Sequence, residues 1–403
     1  MAPVISVDEA RDILRRACAP ADAECIPVTE ALHRVLARDV RSDVAWPPFD
    51  TSAMDGYAVR IADLSSGEAP EERAGLVAAG DRPGERLSPG EAVRVMTGAP
   101  IPEGTEAIVP VEDVRRENGR IFARITPRAG DHIRRRAEIL PAGATLLTRG
   151  TRLSPSDLAL AALAGADPIE VHRRARVAIA VTGSELVAAS ARPGPGQLRD
   201  SNGPMLAALC AARGVSASLR VAVEDEDGAV RRLFAEAGED EDLLITSGGV
   251  SAGDLDLLPQ EARRSGFEML FHRVAVRPGK PVALGRRGRT LWLGLPGNPV
   301  SASVCFHLFG RHALDCLEGD AHPGPPVRRA RMARDLAVRG ERETYRDAIL
   351  EEDGDEGPRV SPSESRGSHD LLAHARANVL IRVPAGAGNL RAGSPVDCVV
   401  LER

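Results

Sequence analysis

Between Ala175 and Leu317 the chain keeps switching between two periodicities. Short apolar runs, ARVAIAVTG, SASLRVAVED, DLLITSGGVS and EMLFHRVAV, alternate with stretches of helical spacing, NGPMLAALCAARG, DGAVRRLFAEAG and LDLLPQEARRSG. A run that is apolar at consecutive positions suits a strand buried on both faces, and strands alternating with helices build a parallel sheet with helices on either side. A doubly wound α/β domain is therefore predicted, with ligands at the carboxyl ends of its strands. A hairpin, PVALGRRGRTLWLGLPG, and a helix from Pro299 to about Leu317 complete it.

The flanking segments follow other rules. Residues 7–40 carry helical spacing in VDEARDILRRA and again in VTEALHRVLARDV, the second helix opening at Thr29. From Pro47 to about Arg128, short apolar runs are split by Gly and Pro, which predicts a small β-rich domain. LSPSDLALAALAGA returns to helix, with Ser154 as its cap and Pro155 at its first position. Helix on both sides of the β segment makes that segment an insertion. After the linker GDAHPGPP, short strands and turns predict a small terminal β-barrel. The expected division is a helical and linker domain at 1–45 and 129–172, an inserted β-rich domain at 46–128, an α/β domain at 173–320 and a barrel domain at 321–403.

Composition narrows the function. A net charge of −6 argues against general nucleic-acid binding, which needs a basic excess. No charge-free apolar run approaches the ~18 residues of a membrane span, and the first residues lack the layout of a signal peptide. A cytoplasmic location is expected. The six cysteines show neither C-x-x-C spacing nor a neighbouring His cluster, so neither zinc nor disulfides are indicated.

Three predicted strand ends carry glycine, hydroxyl and amide or carboxylate groups. Thr182-Gly183-Ser184-Glu185 closes the first, Ser201 and Asn202 open the helix that follows, and Ser247-Gly248-Gly249 with Ser251 closes the third. Glycine lets backbone N–H groups approach an anion at a helix N-terminus. Asp225 follows the strand SASLRVAV, and Asp256 follows the Ser247-Gly248-Gly249 turn at the start of a helix; with Glu185 they form a carboxylate set suited to Mg²⁺, which takes a few carboxylates plus phosphate oxygens. Gly297-Asn298-Pro299 is a turn into the last helix. Lys280, in RPGKP, is the single lysine among 52 Lys plus Arg residues. A compact ammonium enters a tight oxyanion pocket where a planar guanidinium does not fit.

These stretches, together with PPFDTSAMDGYAVR, VRVMTGAPIPEGTEAIVPVED, IRRRAE, LSPSDLALAALAG and GSHDLLAHARAN, resemble in order the molybdopterin molybdenumtransferase family, which is related to the gephyrin E domain. The resemblance implies insertion of molybdate into adenylylated molybdopterin with a divalent cation and release of AMP, by a homodimer in which SAMDGYA of one subunit faces the α/β domain of the other. By the same likeness Asp55 and Thr97 are catalytic positions of the inserted domain, Glu185, Asp225 and Asp256 are the acidic positions of the α/β domain, and Lys280, Ser301 and Ser368 belong to the molybdate pocket. The molybdopterin adenylyltransferase and molybdoenzyme apoproteins are candidate protein partners. The chain departs from the family at several positions. Arg277 replaces the lysine before PGKP, and Arg273 is a second cation upstream. Ala137-Glu138-Ile139 lacks the family's aspartate, and Tyr345-Arg346-Asp347 adds an acid that would repel molybdate, so either Arg346 or Arg342 substitutes or the pocket is weakened. Two other readings use part of the same pattern: adenylyl transfer to molybdopterin, and a molybdopterin- or molybdate-binding scaffold without turnover.

Overall fold

The α/β segment builds one six-stranded sheet in a computed structural model that describes residues 4–402 apart from 66–68, 83, 224–226, 237–239, 251–256, 339 and 354–356. Its strands are β1 (Val177–Thr182), β2 (Ala217–Val223), β3 (Leu243–Ser247), β4 (Glu268–His272), β5 (Ala283–Arg287) and β6 (Thr290–Leu295), in the spatial order β2-β1-β3-β6-β5-β4. The first four in that order are parallel. The hairpin turns β5 antiparallel to both β6 and β4. The sheet is thus parallel except at the hairpin that the sequence predicts, because a tight turn can join only antiparallel neighbours.

Alternating side chains feed two cores, as the period of a strand requires. Val177, Ile179, Leu243, Ile245, Leu291 and Leu293 face one core, which also takes Val7, Ala10 and Leu14 from the helix Val7–Ala17. That helix is closed at its start by a capping box between Ser6 and Glu9. Ala178, Ala180, Leu244 and Trp292 face the other core. There Phe234 meets Trp292 edge-on at 5.1 Å, and the Trp292 indole donates to Thr246 Oγ1 at 2.9 Å. Burial on both faces is what the doubly wound arrangement demands.

Residues 29–40 do not form the second helix that their spacing predicts. Val28–Glu30 is a single 3-10 turn, His33 adopts a φ of 60°, and Val35 and Leu36 make bridges to Arg152 and Val171. Ala31, Val35 and Leu36 are buried, so the apolar spacing serves pairing with distant chain segments. Pro155–Leu163 is a helix beginning at the expected proline.

The chain divides into two compact units, Met1–Arg38 with Arg149–Pro155 and Pro168–Arg403, and Asp39–Thr148 with Ser156–Asp167. The second unit holds another six-stranded sheet, in the order Ala107–Pro110, Gly56–Val59, Glu91–Val95, Glu71–Val77, Arg120–Ala123 and Val114–Glu117. Within the first unit, the strands Glu343–Asp353, Gly357–Pro362, Val327–Met332, Pro395–Val400 and Val379–Val383 pair in sequence, and the last returns to the first. This is the expected terminal barrel, closed and five-stranded. Val276–Arg277 adds to it in parallel against Glu343 and Thr344, which brings the RPGKP segment beside the barrel. Among the described residues no helix is long and apolar enough to cross a membrane.

Candidate functional site

At the carboxyl ends of β1, β3 and β6 the backbones come close enough to exclude side chains. Gly248 has a φ of 101°, and a Cβ there would lie 2.3 Å from the Thr182 carbonyl oxygen. Only glycine holds that conformation at that separation. Asn202, the first residue of the helix Asn202–Ala211, ties the ends together. Its Nδ2 donates to Ser247 Oγ at 2.9 Å and to the Gly297 carbonyl at 2.7 Å, while Ser247 Oγ donates to the Pro296 carbonyl at 3.1 Å. Asn202 is only 6% exposed, and its Oδ1 accepts no hydrogen bond from the described residues. A buried acceptor without a partner marks a place where a donor from a ligand is wanted.

These strand ends line a cavity of about 650 Å³, within the size range of small-molecule sites. Thr182, Gly183, Glu185, Ser201, Asn202, Ser247, Gly248, Gly249, Gly297 and Asn298, all expected at the site, are on its wall. A second cavity of about 560 Å³ takes Arg277, Lys280, Ser301 and Ser368, with Arg342, Arg346 and Asp347 from the barrel side. Pro281, Pro296, Asn298 and His369 line both. The expected residues of this unit that lie among the described ones are therefore brought together as two adjoining compartments.

The second compartment is shaped by one close contact. Gly279 has a φ of 110°, and a Cβ on it would fall 2.2 Å from Cys305 Sγ, so the PGKP turn lies directly on the helix Pro299–Cys305. Lys280 is exposed next to that turn and Ser301 is buried on the helix. Pro299 occupies the first helical position, as expected. Asn298 Nδ2 donates to Ser368 Oγ at 3.0 Å, and the Val300 N–H donates to the Ser368 carbonyl at 3.2 Å, fixing the serine loop to the helix start.

The acid at 347 is not loose in this wall. His374 Nδ1 donates to Asp347 Oδ1 at 2.7 Å, and both side chains are buried. Sequence reasoning missed His374 and His369. His369 stands next to Ser368 in the GSHD block, a signal that adjacency alone could have supplied; His374 pairs with a residue 27 positions away, and nothing local announces it.

Asp55 and Thr97 lie in the other unit. The Thr97 N–H and Oγ1 donate to Asp55 Oδ1 at 2.7 and 2.8 Å. The N–H first, then the hydroxyl, hold the Asp55 carboxyl below its ordinary value. In the same unit Asp50 accepts from Arg135 Nη1 and the Arg136 N–H, both at 2.7 Å, so the IRRR segment has an acidic partner although Ile139 replaces the family's aspartate.

Of the expected carboxylate set, Glu185 is exposed on the first cavity, while Asp225 and Asp256, like Ser251, lie outside the described residues. Among the described residues no group of three or more His, Cys, Asp or Glu side chains could hold a metal ion.

Residues 5–165 match the model of the MoeA N-terminal region (domain I and II), 178–315 that of a probable molybdopterin binding domain, and 329–401 that of the MoeA C-terminal region (domain IV). The chain is 38% identical over 395 residues to molybdopterin molybdenumtransferase 2 of Mycobacterium tuberculosis, across 95% of this chain and 96% of that one. It is 36% identical over 391 residues to the molybdopterin molybdenumtransferase of Nostoc sp., across 94% of this chain and 89% of that one. A solved structure, the molybdopterin biosynthesis MoeA protein of Pyrococcus horikoshii, aligns with a TM-score of 0.84 at 26% identity, covering 99% of this chain and 100% of that one.

Proposed function

This chain belongs to the molybdopterin molybdenumtransferase family, and on that premise we propose that its two adjoining cavities hold the two substrates of a single transfer. Adenylylated molybdopterin occupies the glycine-walled cavity and molybdate the cationic one; molybdenum passes to the dithiolene and AMP leaves. The observation that carries this reading is the shared wall of Pro281, Pro296, Asn298 and His369, which lets two ligands meet.

Each compartment suits its ligand. Molybdate is a tetrahedral dianion, and the second cavity sets Arg277, Lys280, Arg342 and Arg346 against Asp347, the one acid among the described residues of its wall, with the Ser301 and Ser368 hydroxyls as further donors. The first cavity offers the Asn202 amide, the hydroxyls of Thr182, Ser201 and Ser247, and a glycine backbone to a large polar ligand. Glu185, with Asp225 and Asp256, would hold Mg²⁺; Glu185 and Asp200 line the cavity with hard oxygen donors, the ligand chemistry this ion prefers. When bound, the ion would supply charge neutralisation at the phosphate oxygens. Asp55, held ionised by Thr97, is a catalytic-site acid of the other unit on this reading.

The working form is a cytoplasmic homodimer. In the unit of Asp39–Thr148 and Ser156–Asp167, Trp46, Phe49, Met54, Met96 and Ile139 are exposed apolar side chains, a composition that favours covering by a second copy. The adenylyltransferase that supplies the substrate and the apoenzymes that receive the product are its protein partners. The test is release of AMP from adenylylated molybdopterin by the purified chain when molybdate is added. No molybdate-dependent AMP would sink the proposal, and a mass by light scattering of one chain, 42.7 kDa, would sink the dimer.

A further inference from the structure

A carboxylate in the wall of an anion site calls for a physical explanation, because a negative group there opposes the ligand. Asp347 projects from the barrel strand Glu343–Asp353 and lines the cationic cavity. His374, on the helix Leu371–Arg376, meets it through Nδ1 and meets Ser303 Oγ through Nε2 at 2.8 Å. Ser303 lies two positions beyond Ser301 on the helix Pro299–Cys305. The chain Ser303–His374–Asp347 therefore crosses three elements, and the barrel strand and the Pro299–Cys305 helix also carry the wall residues Arg346 and Ser301.

Hydrogen-bond chemistry fixes the direction of this chain. An ionised carboxylate only accepts, so Nδ1 carries its proton toward Asp347; a neutral imidazole then accepts at Nε2 from the Ser303 hydroxyl. The same three residue types form hydrolytic triads, but that use does not fit. Ser303 is 2% exposed and is the fifth residue of its helix, beyond the open first turn whose N–H groups could face an oxyanion.

We propose that His374 is a positioning residue of the cationic cavity: it holds the Asp347 carboxylate against the helix side, so that a wall containing an acid still presents net positive charge to a tetrahedral oxyanion. The role rests on the reading of that cavity as the molybdate site. It accounts for an acid at a position where the sequence alone predicts repulsion. Without the imidazole, a buried carboxylate is left unpaired beside the ligand.

The experiment combines calorimetric titration of the purified chain with sodium molybdate and the molybdate dependence of AMP release. His374→Met should raise the Kd and KM for molybdate about tenfold or more while kcat at saturation changes less than about threefold. The pair Asp347→Ala with His374→Met removes the unpaired charge, and molybdate binding should return to within about threefold of the unaltered chain. Wild-type affinity in His374→Met, or a double variant as weak as the single one, overturns the role. Should His374→Met fail to fold, Asp347→Asn decides. It keeps an acceptor for His374 and drops the charge, so binding as tight as wild type or tighter supports the proposal, and binding about tenfold weaker overturns it. If the unaltered chain binds no molybdate, the substrate reading of the cavity falls and the role falls with it; binding that ignores these substitutions removes only His374.

Discussion

Asp55 and Thr97 are joined twice through a single oxygen, Oδ1, by the Thr97 N–H at 2.7 Å and its hydroxyl at 2.8 Å. Both donors favour the ionised carboxylate, with a further contribution from Arg94. A depressed folded value means stability that is fully present above the unfolded value of about 3.9 and is lost as pH falls through the lower folded value. Thr97→Val keeps the N–H and removes the hydroxyl. Asp55 should then titrate closer to the ordinary value in carboxyl-detected NMR, and AMP release should fall. An unchanged titration would mean that the hydroxyl bond does not exist in solution.

Asn202 couples the ends of β3 and β6, so its loss should be felt as misplaced substrate. Asn202→Leu conserves volume but leaves the Gly297 carbonyl, at 2.7 Å in the native chain, without its donor. Removing a partner from a buried polar group costs about 1–3 kcal/mol. The expected outcome is a raised KM for adenylylated molybdopterin with a modest fall in Tm. Native values of both would remove the amide from the binding surface.

A buried ionic network predicts a larger structural effect. Asp315, 1% exposed, accepts from Arg152 at 2.8 Å, from Arg213 and from the Gly324 N–H at 3.0 Å; Arg152 also reaches Glu318 at 2.8 Å and Asp320 at 2.9 Å. Deleting one carboxylate leaves guanidinium charge uncompensated in a desolvated place. Asp315→Ala should therefore destabilise by about 3–5 kcal/mol, lowering Tm by roughly 5 °C. A change within a degree or two in a thermal melt would show that water screens these arginines.

The α/β core was legible because burial on both faces leaves a local signature: β1, β3 and β6 are buried at every position and mostly apolar. The glycine and hydroxyl residues at the strand ends were legible for a similar reason, since sheet topology alone brings consecutive parallel ends to one edge. Residues 29–40 were misread because Val35 and Leu36 are buried beside bridge partners more than a hundred positions away, and burial by distant segments mimics helical spacing when sampled over a few residues. Asp347 looked like a defect for the related reason that its compensating group, His374, arrives through barrel closure and not through neighbouring sequence.

Lys280 gives the sharpest test of the cationic cavity. It is the one lysine in a chain whose other cations are arginine, and its backbone is pinned on both sides: the Val274 N–H donates to its carbonyl at 3.0 Å, and Gly279 packs against Cys305. Substitution of the side chain should leave that turn intact. If a tetrahedral oxyanion nests against a compact ammonium, Lys280→Arg should be nearly as harmful as Lys280→Met, because the larger planar group cannot occupy the same point. If Lys280 supplies positive potential only, Arg277, Arg342 and Arg346 already show that guanidinium serves this wall, and Lys280→Arg should retain most activity. We expect the first outcome, with turnover at low molybdate reduced about tenfold or more in both variants, equal to ~1.4 kcal/mol of lost transition-state stabilisation. The measurement is AMP release against molybdate concentration for the two variants side by side, and wild-type kinetics in Lys280→Arg would exclude a size-selective contact.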